Sequence, residues 1–135
     1  MKKILLDTSA YSNYLRGHEG VRNWIKNADE IYVNAIVIGE LLAGFIKGRH
    51  EEKNREYLEK FLASDRVHIV PITEVTSERY AAIFKTLKES GKPIPTNDIW
   101  ISASAMEYGL ELVSCDSDFL VVKQVISHIF EVQKR

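Results

Sequence analysis

Apolar positions along this chain switch between two periodicities. The short apolar run at residues 4–6 is compatible with a buried parallel strand, and the largely apolar stretches at 31–33, 67–72 and 110–114 read as three more strands. Between them, apolar residues recur at helical spacing. Trp24 and Ile25 mark the inner face of a helix at 21–27. Tyr57, Leu58, Phe61 and Leu62 mark one at 51–63, with charges opposite. Tyr80, Ile83, Phe84 and Leu87 mark another that ends at Gly91. The boundaries carry their own chemistry. Asp7, Thr8 and Ser9 can cap a helix running to about Gly17, and Asn34 can cap one through Ile46, stopped near Gly48. Thr76 or Ser77 can cap the helix that reaches Gly91. Pro93 and Pro95 make residues 92–96 a loop, after which a helix at 97–108 ends at Gly109. Pro71 places the end of the third strand at a sheet edge, and residues 126–132 can add a short last strand.

Strands alternating with helices predict an α/β fold: a parallel sheet covered on both faces. There is no internal repeat, low-complexity tract or Pro/Gly-rich linker, so residues 1–135 read as a single domain. In such sheets ligands bind beyond the carboxyl ends of the strands, where the strand order reverses.

Acids stand where that pattern favours something else. Asp7 ends the run ILLD, and Glu40 interrupts AIVIGELLAGFI. Asp98 opens the helical part of PTNDIWISASA, and Asp116 ends ELVSCD, with Asp118 two residues on. Each has a purely structural reading. Asp7 can cap a helix, Asp98 can face a helix dipole, and Asp116 and Asp118 can form a turn. Glu40 is harder to account for, since it shares a helix face with Ile36, Val37, Ala43 and Gly44. Burying it unpaired costs several kcal/mol, so it needs a lysine, an arginine or a metal. Gly39 and Gly44 flank it and suggest close approach by another backbone. Gathered at one end of a sheet, these acids repel one another unless a cation holds them.

Composition narrows the class. Hydrophobic residues at 45% and charged residues at 27% describe a globular chain, and the formal charge of -1 excludes a strongly basic nucleic-acid coat. An acidic centre within a basic rim gives the same sum. The single Cys115 cannot form an intrachain disulfide. Closing an apolar strand, it reads as a buried, inert thiol. Only Ile4, Leu5 and Leu6 lie between Lys2–Lys3 and Asp7, too few for a signal-peptide core or a membrane span. The expectation is a cytoplasmic protein with no membrane partner.

The segments ILLDTSAY, AIVIGELLAG, IPTNDIWISASA and LVSCDSDF, in this order, resemble the PIN-domain nucleases over essentially the whole chain. Its length resembles that of the compact VapC toxins of toxin–antitoxin pairs. The resemblance implies a three-layer α/β/α fold around a parallel sheet of four or five strands. It also implies a metal-dependent endoribonuclease. By position, Asp7, Glu40, Asp98 and Asp116 match the four acids of the family, and Asp118 matches an additional one. Thr8 or Ser9 falls where a small hydroxyl or amide accompanies the first acid. Asn97 departs from the acid or small residue often found before the third. The implied partners are an RNA substrate, a small antitoxin protein and a second copy of the chain in a homodimer. A stand-alone RNA-processing nuclease, or a non-catalytic PIN-like scaffold binding RNA or protein, are the alternatives.

Carboxylates without a His/Cys ligand set suit Mg2+ or Mn2+ rather than zinc. One or two ions held by Asp7, Asp98 and Asp116 can activate a water and polarise a phosphodiester, with Glu40 a ligand or a water-orienting group. Arg16, Lys47, Arg49, Lys53, Arg55 and Lys92 can form a basic rim for phosphates. The interleaved Glu51, Glu52, Glu56 and Glu59 favour a solvated surface instead. His18, His50, His68 and His128 are scattered and read as structural or surface residues.

Overall fold

The computed structural model describes residues 1–132. Its elements are β1 (Lys3–Leu6), α1 (Thr8–Leu15), α2 (Glu19–Asn27), β2 (Glu30–Asn34), α3 (Ala35–Lys47) and α4 (Glu51–Leu62). There follow β3 (Val67–Val70), α5 (Glu74–Ser90), α6 (Thr96–Tyr108), β4 (Glu111–Ser114), a 3₁₀ turn (Ser117–Val121) and β5 (Ser127–Ile129). All strand pairs are parallel, in the order β3-β2-β1-β4-β5. The chain winds outward from β1 to β3, then returns to the other side of β1 for β4. That reversal opens a crevice beyond the carboxyl ends of β1 and β4. With right-handed crossovers it also sends α5 and α6 to the face opposite the first two crossovers, giving three layers.

Successive strand residues face opposite sides of a sheet. Ile4, Leu5 and Leu6 are all 0% exposed, so both faces of β1 are covered. The larger core gathers them with Tyr11, Val37, Leu112 and Phe119. A smaller one joins Ile83 and Leu87 of α5 to Ile99 and Ala103 of α6. Gly91 and Gly109 close α5 and α6 with φ of +67° and +64°, a conformation that costs glycine nothing. No helix among the described residues is long and apolar enough to cross a membrane.

The elements match the pattern reading closely, with informative exceptions. Helix α5 begins three residues earlier than Thr76: Thr73 is the cap, and Thr76 completes a reciprocal capping box with it. Thr76 also donates to Glu107 Oε1 at 2.6 Å, joining α5 to α6. Phe84 and Tyr57, expected on inner faces, are 48% and 43% exposed. Among the described residues, nothing beyond the helix's own backbone and chain neighbours lies within 4 Å of a Cβ built at Gly39 or Gly44, so the expected close backbone contact is not seen there.

Asn34 fixes the two helices that frame the crevice. It is fully buried at the end of β2. Its Oδ1 accepts the Val37 N–H at 3.1 Å and caps α3, while its Nδ2 donates to Ser104 Oγ of α6 at 2.9 Å. Asn34→Ala removes a cap and leaves buried polar groups unpaired, so it is expected to cost about 2–4 kcal/mol in urea unfolding. A loss below about 0.5 kcal/mol contradicts this role for Asn34.

Candidate metal centre

Asp7 leaves β1 and caps α1, as its bland reading required: its Oδ1 accepts the Ala10 N–H at 2.8 Å. The same carboxylate is also tied to β4. Ser114 Oγ, at the end of that strand, donates to Asp7 Oδ2 at 2.6 Å, and Ser9 Oγ lies 2.9 Å from both Asp7 oxygens. Each hydroxyl in turn accepts a backbone N–H from the exit of β4, Cys115 to Ser9 across the strands at 2.9 Å and Asp116 to Ser114 within that exit at 2.8 Å. Two serines therefore join the exits of β1 and β4.

Asp116 caps the 3₁₀ turn, its Oδ1 accepting the Asp118 N–H at 2.9 Å. Asp98 lies in the first turn of α6. An oxygen from each of Asp98, Asp116 and Asp118 lies within 4.8 Å of the others. Asp118 had the weakest sequence signal and is brought into this group, whereas Asp7 and Glu40 stand outside it. Glu40 is half-buried on α3, with Oε1 accepting from Thr8 Oγ1 at 2.5 Å and Oε2 from Asn97 Nδ2 at 3.2 Å. Those partners adjoin Asp7 and Asp98, so Glu40 borders the same crevice.

The ion pairs among the described residues are Glu51–Arg55, Glu30–His68 and Glu111–His128, all away from these acids. Burial, followed by the charges of Asp116, Glu40, Asp7 and Asp118, pushes Asp98 up to about 7. Burial likewise raises Asp7, outweighing the hydrogen bonds from Ser114, Ala10 and Ser9, and Asp116 adds to the rise. An all-oxygen set of acids with no cationic side chain in an ion pair to them suits a hard divalent cation. Cys115 is half-buried, one residue beyond the strand it was expected to close. Burial and the neighbouring Asp7 raise its thiol pKa, which suits an inert group.

The basic rim divides. Arg16 and Arg49 line a groove beside Glu40. Arg55 pairs with Glu51, Lys53 stands over the Tyr57 ring, and Lys47 and Lys92 are exposed away from that groove. His68 and His128 bond to acids on neighbouring strands, and His18 caps α2. His50 is exposed at the start of α4. The contribution of Ser114 was hidden in the sequence, where the one available signal was a hydroxyl closing an otherwise apolar run. Asn97, a departure from the family pattern, is a ligand of the Glu40 carboxylate.

The chain matches the PIN domain family over residues 4–125. Ribonuclease VapC2 of Haemophilus influenzae is 34% identical over 116 residues, covering 84% of this chain and 86% of the relative. Toxin FitB of Neisseria gonorrhoeae is 31% identical over 122 residues, covering 84% and 88%. Among solved structures, VapBC2 from Rickettsia felis bound to a promoter DNA fragment superposes with a TM-score of 0.82 at 24% identity. That match covers 96% of this chain and 99% of the other.

The raised Asp98 fixes a sign for stability against pH. Its folded value of about 7 lies above its ordinary 3.8, so the stability from its protonated form is complete below about 4. That stability is lost as pH rises through about 7, and Asp7 acts in the same direction. In EDTA, the melting temperature of the wild type is expected to fall across this window relative to that of Asp98→Asn. The variant should melt higher above pH 7. Parallel profiles for the two proteins contradict a carboxyl raised by burial and by its neighbouring acids at Asp98.

Proposed function

We propose, from the premise that this chain belongs to the PIN domain family, that it is an endoribonuclease acting through a divalent cation, and the toxin of a toxin–antitoxin pair. The observation that carries the catalytic reading is the convergence of Asp98, Asp116 and Asp118 within 4.8 Å at the crevice made by the strand reversal. The relatives named ribonuclease VapC2 and toxin FitB support the activity and the biological setting. RNA is then the substrate and a small antitoxin the protein partner. The homodimer implied by the family resemblance belongs to the same reading.

Asp98, Asp116 and Asp118 are the residues we assign to holding the ion, with Asp7 beside them. When bound, Mg2+ or Mn2+ supplies Lewis-acid polarisation of the phosphodiester and stabilises charge on the departing oxygen. Asp7 is held in one orientation by Ser9, Ser114 and the Ala10 N–H. Its geometry therefore needs no reorganisation when substrate arrives. Glu40 stands outside the tight group, and Thr8 and Asn97 each hold one of its oxygens. We assign it to orienting the attacking water and accepting its proton. Glu40 and the ion-holding acids come from different elements, so their spacing depends on α3 and α6 being docked correctly.

Incubation of the purified protein with structured RNA, in Mg2+ or Mn2+ and then in EDTA, tests the reading. Cleavage should require the metal and should fall more than about 100-fold in Asp98→Asn, since even residues supporting a metal ligand contribute about 10–100-fold. Ser114→Ala, which loosens Asp7 without removing a carboxylate, should fall in that 10–100-fold range. Cleavage surviving both EDTA and Asp98→Asn contradicts the carboxylate–metal mechanism.

A further inference from the structure

A groove of about 500 Å³, lined in part by Glu40, lies between α1, α3 and the start of α4. Its size lies within the ~300–1,000 Å³ of pockets that accept small organic groups. Thr8 and Arg16 line one wall, Gly44 and Phe45 the second, and Arg49 and Tyr57 the third. Neither Arg16 nor Arg49 belongs to an ion pair among the described residues, and both side chains are exposed. Two guanidinium groups outside those ion pairs thus share a groove with an acid of the candidate nuclease centre.

Gly44 lines the groove with no side chain of its own. It sits inside α3, where glycine costs about 1 kcal/mol relative to alanine. Nothing within 4 Å of a Cβ built there would explain a packing need. A Cβ at this position would meet none of the described residues beyond its own helix, and Gly44 lines the groove.

We infer that this groove seats the RNA strand on one side of the scissile bond, with Arg16 and Arg49 holding its phosphates and Gly44 leaving room for the backbone. The inference rests on the nuclease reading and extends it to a defined subsite. Charge selects the occupant. Guanidinium groups match phosphates in a paired, planar geometry. The groove is also continuous with Glu40, so a strand lying in it leads directly to the acids. Tyr57, an exposed residue of the groove lining with Lys53 over its ring, offers an aromatic group against which a base can stack without sequence preference. Arg16, Arg49 and Gly44 are positioning residues here, acting on substrate placement rather than on bond cleavage.

The test is steady-state cleavage of a fluorescein-labelled single-stranded RNA in Mn2+ by wild type, Arg49→Ala, Arg49→Lys, Gly44→Leu and Gly39→Leu. Gly39 lies on the same helix with equally open space around it and outside the groove, so it controls for helix effects. Arg49→Ala and Gly44→Leu should raise KM several-fold with kcat unchanged. Arg49→Lys should recover part of the loss, and Gly39→Leu should behave as wild type. Removing one phosphate contact should also flatten the log–log salt dependence of RNA binding by about 0.7. Anisotropy of the same RNA with Asp98→Asn in EDTA, with and without Arg49→Ala or Gly44→Leu, reads the groove separately from chemistry. Absence of wild-type cleavage would count against the nuclease reading alone. Equal KM, binding and salt slope in every protein overturns the subsite and leaves the groove to a protein partner.

Discussion

Mutual repulsion among carboxylates at one end of the sheet is the constraint around which the rest of this structure is arranged. Burial first, and then the charges of Asp116, Glu40, Asp7 and Asp118, raise Asp98 to about 7. A fold selected for stability alone would place a lysine or arginine among them or replace one by an apolar residue. Here the acids are supported by neutral donors instead. Ser9, Ser114 and the Ala10 N–H serve Asp7, Thr8 and Asn97 serve Glu40, and the Asp118 N–H serves Asp116. Neutral donors fix the oxygens in place without cancelling their charge. The negative field that remains is what a divalent cation would neutralise.

Strand order supplies the place. The reversal after β3 sets the exits of β1 and β4 side by side, bringing together residues that are more than 100 positions apart. The remaining acids arrive on helices, Glu40 on α3 and Asp98 on α6. Asn34 couples those helices by capping one while bonding to the other. One buried amide therefore links the end of a core strand to the spacing of two site residues. Packing on both faces of the sheet keeps this frame rigid, whereas the groove beside Glu40 and the exposed arginines are open to a ligand.

Much of the arrangement was legible because acids break apolar patterns. Asp7 and Asp116 end strand runs, Glu40 interrupts a helix face, and Asp98 precedes one, so each was visible before any geometry was known. Asp118 looked like a turn residue, and it is one, yet the turn itself carries its carboxylate to the cluster. What could not be read depends on contacts across the sequence. Ser114 looks like any small residue at a strand end until Asp7 lies opposite it. Thr76 and Ser77 looked like the caps in a one-dimensional view, but reciprocal bonds between Thr73 and Thr76 set the boundary earlier. Gly44 suggested a close contact, but the structure reveals open space beside it, since the signal of a missing side chain is the same for both.

Calorimetric titration of Mn2+ into the metal-free protein at pH 7, in buffers of different ionisation enthalpy, tests the central claim most directly. Cation binding should displace the proton that burial and the neighbouring acids keep on Asp98, so saturable binding should be accompanied by proton release. Asp98→Asn should bind the ion more weakly and release fewer protons. Absence of Mn2+ binding to the folded wild type, or binding with the same affinity and proton release in Asp98→Asn, would contradict an acidic cluster built to hold a divalent cation.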